Sequence, residues 1–178
     1  MMLVWVLVVT ALLVSDVTGN TNALEMEERL DNLHSLHQGR CEENWFYFAP
    51  LNSCHRFFHA KKTWKEAGEF CNRFPHYGNL ATVISAEHNK FVAKVISTAD
   101  ASKPFAWIGL NDIWKEGAYT WADGTCYTYR SWAKNQPDNH QGTEDCVHIQ
   151  YFSGSATWND FPCGSRIGFV CAYKLQCT

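Results

Sequence analysis

Gln136, Asp138, Glu144 and Asp145 fall inside the twelve residues NQPDNHQGTEDC, 135–146, and Asn159 and Asp160 follow in a short Trp158-Asn159-Asp160 segment. Each carries a side-chain oxygen, and the only nearby nitrogen ligands are His140 and His148. Mixed carboxylate and amide sets suit a hard cation, calcium first, whereas zinc and copper recruit imidazole or thiolate. The spacing is not that of an EF-hand, since no D-x-[DN]-x-[DN]-G run leads to a glutamate at the right distance. Nor is there a G-x-S-x-G, H-E-x-x-H or lone-cysteine nucleophile pattern, and the eight histidines are scattered. Acidic oxygens without a base and nucleophile point to ion binding, not to an enzyme.

Such a set needs scaffolding on both sides. Residues 133–145 show no periodicity, so the ligands sit on a loop. Before it, AWIGLND is a short apolar strand, and AYTWADGTCYTYRSW alternates like a further strand with a turn at Asp123-Gly124. After it come two apolar strands, CVHIQYF and IGFVCAY, separated by SGSATWNDFPCGS, in which Asn159-Asp160, taken singly, could be a turn. Upstream, CEENWFYFAPLNSCHRFF reads as two strands around a turn at Pro50-Leu51-Asn52, with Cys41 and Cys54 able to staple the hairpin. TWKEAGEFCNRF is predicted to be a helix: Thr63 and Glu66 make a capping box, and Trp64, Ala67, Phe70, Cys71 and Phe74 recur at helical spacing. A second helix is predicted from about Ser85 to Thr98, capped by Ser85, with Phe91, Val92, Val95 and Ile96 on one face.

The chain begins with an apolar run too short to span a bilayer that ends among small residues, which reads as a secretory signal over 1–19. No other apolar stretch approaches spanning length, so the mature protein is expected to be soluble and secreted, without membrane insertion. Residues 20–40 are polar and acidic with a three-residue leucine spacing, a short neck or a propeptide segment. The remainder, 41–178, is long enough for one domain with a real core. A net charge of −3 without a basic block gives no reason to expect nucleic acid. Abundant aromatics and scarce helical periodicity point to a compact, loop-rich mixed fold. Eight cysteines in an exported chain read as disulfides, and the absence of a CxxC pair argues against a zinc ribbon or a redox motif. No N-x-[ST] sequon occurs, so no N-glycan is expected.

From Cys41 to about Cys171 the chain resembles a C-type lectin domain and is similar to fish and venom members of that family. TWKEAGEFC, NLATVISAEHNKFV, WIGLND, QPD, the GTEDC acid pair, WND and FVCAY occur in the family's order and approximate spacing, over more than two thirds of the chain. The resemblance implies an α+β fold: two helices packed on small antiparallel sheets, a long calcium-binding loop region, and disulfide staples.

It also implies roles. A cis proline in QPD would stand between two calcium ligands, Gln136 and Asp138, with Glu144, Asn159 and Asp160 completing the principal Ca2+ site. Two ion positions would remain for vicinal sugar hydroxyls, each also bonded to the ligand side chains. The Gln-Pro-Asp order goes with galactose or N-acetylgalactosamine rather than mannose. The position where galactose binders carry a stacking Trp or Tyr is His140 here, so the sugar-binding set is Gln136, Asp138, His140, Glu144, Asn159 and Asp160. A second calcium site of some members maps onto Asp112, Glu116, Glu144 and Asp145, with Asn139 where an aspartate is usual. Family pairing implies Cys41–Cys54, Cys71–Cys171 and Cys146–Cys163. Cys126 and Cys177 either pair with each other or leave Cys126 to link a homodimer, whose two sites would agglutinate cells or microbes bearing galactose-type glycans. The rival within the same fold is a relative that binds a protein receptor or ice.

Overall fold

The computed structural model describes residues 41–152 and 154–176. The segments 1–19 and 20–40, and Cys177, lie outside the described residues. Chain reversal at Asn52, in the left-handed region at φ 47°, joins β1 (Phe46–Phe48) to β2 (Ser53–Lys62) after a single 3-10 turn over Ala49–Leu51. The predicted capping box then opens α1 (Trp64–Cys71): Thr63 Oγ1 accepts from the Glu66 amide at 3.3 Å, and Glu66 Oε2 accepts from the Thr63 amide at 3.0 Å. Two of the orphan donors at the helix start are thereby satisfied. A two-residue β3 (Asn79–Leu80) leads to α2 (Ala86–Ala99), where Ser85 Oγ accepts from the His88 amide. β4 (Ala106–Asn111), β5 (Thr120–Trp121), β6 (Cys146–Phe152), β7 (Ser155–Phe161) and β8 (Ile167–Lys174) complete the chain.

The strands form one eight-stranded sheet in the order β1-β2-β8-β4-β6-β7, with β3 attached to β8 and β5 to β4. This corrects the expectation of separate small antiparallel sheets: β4 and β8 pair in parallel and fuse the two halves. Their sequences show why they are central. β4 is buried along its whole length and β8 along most of it, the continuous apolar run of a strand covered on both faces. Around β8 the core divides into two clusters. In one, Val92, Val95 and Ile96 of α2 pack on Ile108, Val147 and Trp158; in the other, Trp45, Trp107 and Phe169 meet α1 through Ala67 and Cys71.

The three disulfides that the resemblance implied are present: Cys41–Cys54, Cys71–Cys171 and Cys146–Cys163. The second spans 100 residues, and on the chain-entropy argument contributes about 4 to 5 kcal/mol. Among the described residues Cys126 is free and exposed.

Two elements differ from expectation. SGSATWNDFPCGS is not a loop, because it contains β7, and Asn159-Asp160 is therefore strand rather than turn. The segment after β5 keeps the predicted alternation in its burial, with Tyr127 and Tyr129 half-buried between exposed neighbours, yet it forms no ladder. Alternation reports an extended backbone packed on one face, and a ladder further needs a free strand edge beside it. That edge is offered only once, where Trp132 bridges Trp158.

Candidate functional site

β7 is the anchor for the loop. Its Trp158 is fully buried and donates Nε1–H to Asn89 Oδ1 of α2 at 2.8 Å, while Asn89 Nδ2 donates to the Ala156 carbonyl at 2.9 Å. The Trp158 amide donates to the Ser131 carbonyl and its carbonyl accepts from the Ala133 amide, which ties the loop's entry to the same residue. Next but one in β7, Asp160 is 0% exposed, and its two carboxylate oxygens accept the amides of Asp138 at 3.2 Å and Asn139 at 2.7 Å. These amides follow directly on the cis Gln136–Pro137 peptide. The loop then turns through left-handed conformations at Asn139, Gln141 and Gly142, where amide and glycine residues tolerate a positive φ. Asn139 holds this turn from both ends: its Oδ1 accepts from the Glu144 amide, and its Nδ2 donates to Glu116 Oε2. Glu144 Oε2 accepts from the His140 amide at 3.1 Å.

One carboxylate oxygen from each of Asp138, Glu144 and Asp160 lies within 4.8 Å of the others. At that distance and an effective dielectric of about 20, each pair of charges repels by on the order of 3 kcal/mol. Burial, and then the charges of Asp160 and Asp138, push the Glu144 carboxyl up, against the His140 amide, which lowers it. Asp112 is likewise raised, by burial foremost, opposed by the Gly117 amide and reinforced by Asp145. Gln136 Oε1 and Asp112 Oδ1 are buried without a hydrogen-bond partner. Crowded carboxylates are unfavourable alone and complementary to a cation; the donors are all oxygen, so they fit a hard divalent ion.

The sequence-predicted ligands thus converge in part. Asp138, Glu144 and Asp160 form the cluster and Gln136 precedes it across the cis bond, whereas the Asn159 Nδ2 donates to the backbone carbonyl of Asp160 and shows no bond to a cluster carboxylate. The predicted second set is connected differently. Glu116 and Glu144 both bond Asn139, and the Asp112 amide donates to the Asp145 carbonyl at 3.0 Å. Among the described residues these acids do not make a further group at metal-ligand spacing. His140 is exposed beside the cluster.

One participant lies outside the sequence-predicted set. His148, 1% exposed, faces Asn159 across the β6–β7 ladder, and its Nε2 lies 3.3 Å from Asn159 Nδ2. Its Nδ1 is 3.2 Å from the Ile149 carbonyl and so carries the hydrogen, which leaves Nε2 to accept from the Asn159 amide. Burial holds the ring neutral, with its pKa lowered to about 4. Its signal is in CVHIQYF, where a histidine interrupts an apolar strand, but its partner depends on the pairing of β6 with β7.

Residues 60–173 match the family profile of the lectin C-type domain. A C-type lectin of Cerberus rynchops is 38% identical over 135 residues, covering 76% of this chain and 84% of that protein. An alpha-N-acetylgalactosamine-specific lectin of Patiria pectinifera is 38% identical over 123 residues, 67% of this chain and 73% of that protein. Among solved structures, the C-type lectin CEL-I of Cucumaria echinata superposes with a TM-score of 0.71 at 28% identity, covering 77% of this chain and 99% of that one.

Proposed function

The chain belongs to the C-type lectin domain family, whose members are non-catalytic binding domains, and from that premise we propose that it is a secreted, calcium-dependent lectin for galactose or N-acetylgalactosamine-type terminal sugars. The observation that carries this reading is the Asp138, Glu144 and Asp160 cluster in the loop that follows the cis Gln136–Pro137 peptide. Gln136, Asp138, Glu144, Asn159 and Asp160 would hold the ion. Bound calcium would supply coordination positions for two neighbouring sugar hydroxyls. Asp138 and Glu144 then accept hydrogen bonds from those hydroxyls, and the Gln136 and Asn159 amides donate to them. Asp160, wholly buried and spent on backbone amides, keeps the loop closed around the ion.

The order amide, proline, acid places the donor where mannose-type members place an acceptor, which selects the galactose arrangement. The name of the Patiria pectinifera relative agrees with it. Disulfides between cysteines far apart in the chain, the apolar N-terminal run, and the lack among the described residues of any helix able to cross a membrane support an extracellular protein. The exposed Cys126 supports a disulfide-linked dimer that agglutinates glycan-bearing cells or microbes. Asp112, Glu116, Asn139, Glu144 and Asp145 are the candidates for a second ion.

The test is retention of the secreted protein on galactose and mannose resins in calcium, followed by chelator. Elution from galactose alone is the expected result. Retention on neither would overturn the sugar reading, and retention that chelator does not reverse would overturn the role of the ion.

A further inference from the structure

A groove of about 480 Å3 runs between one face of α2 and the β6–β7 edge of the sheet. It shares no residue with the acidic cluster. On the helix its wall is the stripe Ala86, Lys90, Ala93, Lys94 and Ser97, whose three- and four-residue spacing puts them on one side of α2. Two of these side chains are alanine, which leaves the hollow, and two are lysine. The floor is fixed by hydrogen bonds. Asn89 donates to the Ala156 carbonyl and accepts from Trp158, and the Tyr151 hydroxyl donates to the Ala93 carbonyl at 2.7 Å, which ties β6 to α2. The groove is therefore formed before anything enters it.

Its charge is one-sided. Lys90, Lys94 and Lys103 line it and no aspartate or glutamate does, in a chain whose net charge is −3. Lys90 and Lys94 are exposed and one helical turn apart, a like-charge pair that weakens a helix on its own. Lys103 comes from the segment after α2, and its Nζ stands 5.6 Å from the centre of the Tyr151 ring, so the ring holds a third ammonium at the same groove. None of the three makes an ion pair among the described residues. The nearest acids in sequence, Glu87 and Asp100, stand outside the lining, and Asp100 is engaged by Ser102 and His59. Ammonium groups gathered in a cleft without countercharge add their fields and concentrate anions there. The rest of the wall offers the Tyr129 and Tyr151 rings and the Ser131 and Ser155 hydroxyls, a mixture that suits a sugar ring. Lysines are separate point charges, unlike the arginine fork that grips one phosphate or carboxylate, so they match single negative charges spaced along a chain.

We propose that this groove binds a sulfated oligosaccharide without any metal ion. Each sulfate ester carries one negative charge and meets one ammonium, while the sugar rings between the esters lie against Tyr129 and Tyr151. Because the charges on both sides are exposed, binding weakens as salt rises.

Titration calorimetry of the full chain with a heparin-derived tetrasaccharide, in EDTA at low salt, tests this apart from the acidic cluster. The expected result is binding by the parent chain, at least tenfold weaker when Lys90→Gln is combined with Lys94→Gln and severalfold weaker in Lys103→Gln, with the unfolding temperature unchanged. Lys61→Gln combined with Lys65→Gln, which removes the same charge outside the groove, should leave binding as it was. Absence of binding by the parent chain, or undiminished binding in the groove variants, would overturn the site, as would an equal loss in the Lys61 and Lys65 variant. A desulfated tetrasaccharide that binds as tightly would overturn the role of sulfate. Capture on phosphatidylglycerol vesicles without binding of the tetrasaccharide would overturn the saccharide in favour of an anionic membrane surface.

Discussion

The acidic loop and the His55–His88 pair both bury polar groups, but they do so in different charge states. In the loop, three carboxylates crowd within 4.8 Å and are steadied by backbone amides from Asp138, Asn139 and His140. In the pair, two imidazoles are pressed to neutrality by burial and steadied by Phe48 and Phe91. Burial of polar groups thus has different consequences according to the charge around them. Repelling anions ask for a cation, whereas neutral imidazoles packed between aromatic rings serve the core.

The sharpest way to break the contrast is Asp160→Ala. It removes a carboxylate of the cluster and leaves the Asp138 and Asn139 amides without their acceptor. Calcium affinity in titration calorimetry is expected to fall at least a hundredfold; calcium affinity within a few-fold of the parent would remove Asp160 from the site.

Acid should separate the regions by sign. His88 has a folded pKa of about 4 against an ordinary 6.5, and that of His55 is lowered too, so as the pH falls the unfolded chain takes up protons first. Stability present above pH 6.5 is lost on the way to about pH 4, by about 3 kcal/mol for His88 alone. Glu144 and Asp112 have raised pKa values, so the folded chain takes their protons first, and without metal the same acid relieves the loop. Urea unfolding in EDTA between pH 4 and 7, an interval of about the two histidine values, is the measurement. His88→Phe should flatten the acid loss and Glu144→Gln should steepen it; identical slopes in both variants would refute the assignment.

A smaller effect is expected where a neutral imidazole supports the charged loop. His148→Leu removes the acceptor for the Asn159 amide, and partners behind a metal ligand are worth about 10 to 100-fold in metal affinity. Calcium titration should show a loss near the lower end, part of it restored in His148→Gln. No change would leave His148 as packing alone. Smallest of all, His140→Trp adds a stacking face beside the cluster and should tighten galactose severalfold, about 0.5 to 1.5 kcal/mol in glycan titration. Unchanged affinity would show that the ring at this position does not meet the sugar.

Much of the loop is legible in the chain itself, because its signals are local. The capping box at Thr63 and Glu66, the Ser85 cap, the turn at Asn52 and the oxygen-rich run at 135–146 depend on residues a few positions apart, so their spacing carries the geometry. Other features require partners the chain does not place nearby. β7 is hidden from local pattern because its role rests on pairing with β6 and on the Trp158–Asn89 bond across 69 residues. The alternation after Asp123-Gly124 signals an extended segment correctly but not a paired strand, since no sequence states whether an edge is free. The single mixed sheet follows from β4 meeting β8 in parallel, a contact between segments about sixty residues apart.

Residue types and their spacing were therefore enough for the kind of ligand atoms, the helix starts and the family. The folded arrangement alone made Asp160 the buried clasp of the loop and set His148 behind Asn159. It also brought His55 and His88, 33 residues apart, into a shared buried hydrogen bond. Composition and spacing act along the chain within a turn or two, whereas burial, pKa and hydrogen-bond satisfaction are set by whichever distant segments the sheet brings into contact.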